Sequence, residues 1–119
     1  MAITKATYSN GTLNITAANG TDNELKYSDS STETDAASIA ADALDGKYNG
    51  SVTTIDASKL GSKVGISVQL DGNATTYVGG KGADTVSGAG TITTGNGNDV
   101  VVLGGTQTIT DYAGKTDSL

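Results

Sequence analysis

Gly79-Gly80-Lys81-Gly82-Ala83-Asp84-Thr85-Val86-Ser87 is the stretch on which the reading of this chain turns. It meets every defined position of the nonapeptide pattern G-G-x-G-x-D-x-U-x, in which U is a large aliphatic residue. Thr94-Gly95-Asn96-Gly97-Asn98-Asp99-Val100-Val101-Val102 repeats the pattern and departs from it only at Thr94. Two copies this close together weigh far more than one. The glycines admit backbone bends closed to other residues and turn carbonyl oxygens to one side, the aspartate adds charge, and the last three residues run out as a strand.

Such bends offer oxygen donors alone. Hard cations such as calcium take six to eight oxygens at about 2.3–2.6 Å, so one bend makes half a site and a neighbouring bend must complete it. The spacing leaves two arrangements open. Two tandem nonapeptides make a rung of about 18 residues, whereas from Asp84 to Asp99 is 15 and from Asp99 to Asp117 is 18. Either the first rung is three residues short, or the two bends lie on opposite sides. Asp also bonds its own backbone in metal-free turns, and that bland reading suits Asp56, Asp71 and Asp111, which follow strands without a glycine frame.

Outward from the nonapeptides the texture stays β-rich. From residue 51, short runs such as 51–55, 64–70, 75–78, 91–93 and 100–103 are broken by Gly, Asn and Asp, a spacing that predicts stacked rungs. Residues 87–93 align with 104–110 at an offset of 17. Toward the N-terminus, alternation over 3–8, then Asn10-Gly11, then Leu13-Asn14-Ile15, predicts a hairpin. Ala-rich 35–44 is the one candidate helix, with Thr34 or Asp35 to cap it and Gly46 to stop it.

Composition narrows the function. The chain has 119 residues, 17 of them Gly, with 4% aromatics and no Phe, Trp, Pro or Cys. A thin core of Val, Ile, Ala and Thr between close strands suits these residues better than a thick helical one. Without Cys or His, disulfides, zinc-thiolate sites and the usual nucleophile–base pairs are excluded, so no enzyme is expected. Glycine bends without the Lys-Ser/Thr ending are not phosphate loops. The net charge is −6, with seven Lys and no Arg, which disfavours nucleic acid. No run is long and apolar enough for membrane insertion, and residues 1–5 lack the apolar run of a signal peptide, so an export signal would lie elsewhere. The Asn-x-Ser/Thr sequons read as turns, and the five tyrosines as the largest core residues.

Over residues 79–102 the chain resembles the repeats-in-toxin family of calcium-binding β-rolls. The tail 108–119 looks like the segment that closes such arrays, and 53–58 with the following glycine-rich rungs looks like parts of bacterial surface-layer proteins and secreted adhesins. The resemblance implies an all-β fold, a right-handed parallel β-solenoid in the C-terminal half with the hairpin and the 35–44 helix before it. It divides one continuous domain into an N-terminal capping or assembly region, 1–50, and a calcium-binding region, 51–119. It implies calcium held by Asp84, Asp99 and Asp117, with backbone oxygens of Gly80, Gly82, Gly95 and Gly97 and with Asn96 in the variable turn position. The expected function is a calcium-stabilised, self-assembling structural module of a secreted bacterial surface protein. The alternative is a module whose Thr/Asn faces and tyrosines contact cell-surface polysaccharide.

Overall fold

The structure is a computed structural model that describes residues 3–20, 23–29, 35–70, 76–102 and 106–110. Asp71, Asp111, Asp117, Tyr112 and the Gly104-Gly105 half of the internal repeat lie outside the described residues.

Asn10 (φ 49°) and Gly11 (φ 84°) occupy the left-handed region that a two-residue hairpin turn demands. They join β1 (Ile3–Ser9) antiparallel to β2 (Thr12–Ala18). Then follow β3 (Asn23–Asp29), α1 (Ala36–Leu44), β4 (Lys47–Asn49), β5 (Thr54–Asp56), β6 (Ile66–Gln69), β7 (Thr76–Val78), β8 (Thr85–Ser87), β9 (Gly90–Thr93), β10 (Val100–Val101) and β11 (Gln107–Ile109). From β5 onward successive strands go to alternate sheets. One sheet has the order β1-β2-β5-β7-β9-β11 and the other β10-β8-β6-β3-β4.

Alternation along each strand points one residue into the space between the sheets. In the six-stranded sheet Leu13, Ile55, Tyr77, Ile92 and Ile109 stand in register as one column. In the five-stranded sheet Leu25, Val68, Val86 and Val101 form the facing column. All but Ile109 are at most 1% exposed, so the core is one side chain deep from each sheet. Its largest members are Tyr48 and Tyr77, both fully buried, while Tyr8 and Tyr27 pack at its margin. The Tyr48 hydroxyl donates to the Gln69 carbonyl at 2.5 Å.

The fold therefore differs from the expected all-β, right-handed parallel solenoid. The six-stranded sheet is mixed, with an antiparallel pair at one end, and a nine-residue helix buries Ile39 and Ala43 against the core. The N-terminal part belongs to both sheets, since β2 pairs with β5 and β3 pairs with β6. The cause lies in residues without the nonapeptide pattern. Asn10-Gly11 reverses the chain, and the Ala-rich segment buries more apolar area as a helix over the sheet ends than as another polar-faced strand.

The Tyr77 hydroxyl is buried among the aliphatic column and has no hydrogen-bond partner. Burial, then the nearby charges of Asp84, Asp99 and Asp56, push its pKa far up, so it stays a neutral phenol. An unmet buried hydroxyl costs about 1–3 kcal/mol. Tyr77→Phe is thus expected to raise stability by about 1 kcal/mol in urea unfolding; a loss of the same size would show that the hydroxyl has a partner in solution.

Candidate cation centre in the stacked turns

The turns leading from the six-stranded to the five-stranded sheet all lie on one side of the molecule. They span residues 57–65, 79–84 and 94–99 and stack in that order, since they connect β5 to β6, β7 to β8 and β9 to β10. This decides between the two spacings left open by the sequence. Thr85 pairs with Val100 and with Ser67, so Asp84 stands in register between Ile66 and Asp99. The aspartates share a side, and the rung between them is short. The same column begins at Asn23, in register with Ile66.

Glycine is needed here mostly for closeness. At Gly80 a Cβ would lie 2.8 Å from the carbonyl oxygens of both Ala57 and Leu60, and at Gly82 it would overlap the Val64 carbonyl. Neither residue has a positive φ, so the sequence-based emphasis on special bends applies only to the next turn. There Gly95 (φ 79°) and Gly97 (φ 94°) are both left-handed and pressed on the turn beneath. Gly95 faces the carbonyl oxygens of Gly79 and Gly80, and Gly97 those of Lys81 and Gly82. The Gly80 and Gly82 carbonyl oxygens thus lie directly beneath the second nonapeptide turn.

Both aspartates are buried where these turns lead into β8 and β10, Asp84 at 1% exposure and Asp99 at 0%. Each reaches back one rung. Asp84 Oδ1 accepts the Ile66 N–H at 3.0 Å, and Asp99 Oδ1 accepts the Asp84 N–H at 2.8 Å. These bonds satisfy buried amides where the strands begin. Asp84 Oδ2 has no hydrogen-bond partner and lies against Gly79, at the spot that the Thr94 carbonyl oxygen also faces. Burial raises the Asp84 pKa to about 7; the Ile66 amide opposes the rise, the Asp99 charge adds to it, and the Gly80 amide opposes it.

The donor set fits a hard cation in kind: two carboxylates and the carbonyls of Gly80 and Gly82, all oxygen. Among the described residues no three or more of His, Cys, Asp and Glu gather at one point, so the backbone would supply most ligands. Asn96 and Asn98 are exposed at the tip of their turn, away from the buried carboxylates. Asp117 and whatever stacks on Gly95 and Gly97 from beyond lie outside the described residues. Asn23 was not singled out in the sequence. Its amide donates to the Gly20 and Gly65 carbonyls, both at 3.0 Å, and closes the start of the column. From Asn23 to Ile66 is 43 residues, with a helix between, so no local repeat marks the position.

A second feature is a recess edged by Asn23, Glu24, Lys26, Tyr27, Asp45 and Lys47. Lys26 and Glu24 form an exposed ion pair across 3.2 Å there. No helix among the described residues is long and apolar enough to cross a membrane. Compared with family models, curated proteins and solved structures, the chain matches none.

Proposed function

We propose that this chain is a calcium-stabilised structural module of a secreted bacterial surface protein. The observation that carries the reading is the pairing in register of buried Asp84 and Asp99 beside close-packed glycine turns rich in carbonyl oxygens. Two carboxylates stripped of water are costly to keep charged. A divalent cation between the turns neutralises them, with Asp84, Asp99, Gly80 and Gly82 as its holders and Gly95, Gly97 and Asp117 as those of a following site. Folding and binding are then coupled, and a thin core gains stability where calcium is plentiful, outside the cell. The missing cysteines suit a surface module that relies on ions rather than disulfides. Self-association fits the sheet edges. Among the described residues β10 and β11 pair on one side only, and Val100 and Val102 beside them are exposed.

Calorimetric titration with calcium, beside particle sizing, tests the proposal. A site constant of about 0.1 mM adds roughly 1.4 kcal/mol per site at millimolar calcium. Larger particles should appear as calcium rises. No heat of binding, with the same melting curve in chelator and in calcium, would refute the cation role.

A further inference from the structure

Residues that alternate with the buried column of the six-stranded sheet face outward. Because β2, β5, β7, β9 and β11 pair in parallel with no register shift, those residues fall into straight rows. One row runs Thr12, Thr54, Thr76, Thr91 and Thr108. The next, two residues along each strand, runs Asn14, Asp56, Val78, Thr93 and Thr110. Across the hairpin β1 adds Ser9 to the first row and Thr7 to the second. The rows are tightly ordered at their far end, where the Thr93 and Thr110 hydroxyls bond each other at 2.5 Å.

Of these twelve positions nine carry hydroxyls and only Asp56 carries a charge. Composition alone does not produce this. The outer rows of the five-stranded sheet run Glu24, Ser67, Thr85, Val100 and Lys47, Lys26, Gln69, Ser87, Val102, with three hydroxyls in nine and three charges. The hydroxyl rows therefore belong to one face.

We propose that this face binds ice, its threonine rows holding water at the repeats of the prism plane. Strands repeat at about 4.7–4.9 Å, close to the shorter oxygen repeat of that plane, and alternate residues along a strand at roughly 6.6 Å, somewhat short of the longer one. Threonine is stiff at χ1, so its methyl and hydroxyl are presented without much loss of freedom. Other occupants lack what they need. The twelve positions hold no aromatic ring to stack on sugar, no cation for an anionic polymer, and one aliphatic side chain, Val78, for an apolar partner. A periodic, neutral, hydrogen-bonding partner remains, and frozen water is one.

The test uses the whole chain, folded in millimolar calcium, in an ice recrystallisation assay with ice-affinity partitioning. Wild type is expected to enter growing ice and to arrest grain growth. Thr76→Lys and Thr91→Lys should each need about tenfold more protein for the same arrest, and Ser67→Lys on the other sheet should match wild type. Should the lysine variants fail to fold, Thr76→Val and Thr91→Val carry the same comparison, since they keep shape and lose the hydroxyl. Exclusion of folded wild type from ice overturns the proposal, as does an equal loss in Ser67→Lys. So does a dimer that only the face variants dissolve, which assigns the face to a second copy, or binding to crystalline cellulose lost in those variants, which assigns it to polysaccharide.

Discussion

Asp84→Asn is expected to stabilise the protein in chelator at pH 7.5 and to remove most of what calcium adds. Asparagine keeps the Oδ1 acceptor that meets the Ile66 N–H at 3.0 Å, so the change deletes ionisation and little else. Folded Asp84 holds its proton up to about pH 7, against 3.8 for an unperturbed aspartate. The folded state thus binds the extra proton between those limits, and stability must fall as pH rises through them. It is fully present below about pH 4, declines to about pH 7 and is level above. The size is about 2–4 kcal/mol, and Asp84→Asn should show a flatter curve across this window. Bound calcium favours the anion, so wild type in calcium should recover the loss near neutrality and Asp84→Asn should not. Urea unfolding at pH 5 and 7.5, with calcium and with chelator, reads all four corners. Equal calcium gains in wild type and variant would remove Asp84 from the site.

Gly82→Ala should be among the most damaging single methyls added to the turns. Its Cβ would overlap the Val64 carbonyl, a backbone atom held by the turn beneath, so whole rungs must separate to admit it. A loss of about 3 kcal/mol or more is expected, in the range of overpacked or strained sites. Gly61→Ala is the matched control. Nothing lies within 4 Å of its Cβ position and its φ is ordinary, so reduced freedom of the unfolded chain should stabilise it by about 0.4–1 kcal/mol. Melting curves of the two variants side by side check the stacking directly. A Gly82→Ala protein as stable as wild type would mean that the turns at 57–65 and 79–84 do not touch.

Particular residues show what could be read early. Asn10-Gly11 announced a hairpin because a two-residue turn with positive φ has few other solutions, but the register shifts in β1 that bring Ile3 to the same side as Ala6 and Tyr8 were not legible. The segment 35–44 announced a helix through its Ala content, a cap at Thr34 or Asp35 and a stop at Gly46, and the helix runs from Ala36 to Leu44. Asp84 and Asp99 stood out by their glycine frames. Their mutual placement did not, because a spacing of 15 fits either a short rung or opposite sides, and only pairing between strands chooses. Asn23 and β4 were illegible for a related reason: their partners Ile66 and β3 are distant in sequence or separated by the helix. The 17-residue repeat did foreshadow the pairing of β9 with β11, where Gly90 meets Gln107.

Local chemistry is what the sequence by itself determined: which residues turn, which alternate, which oxygens could meet a cation, and that no thiol or imidazole takes part. Tertiary structure alone decided that β1–β4 join both sheets, that buried Asp84 lies against buried Asp99, and that threonines far apart in the chain share straight rows. Turn and strand preferences act over a few residues, whereas sheet order and burial are set by pairings across tens of residues, which no short stretch encodes.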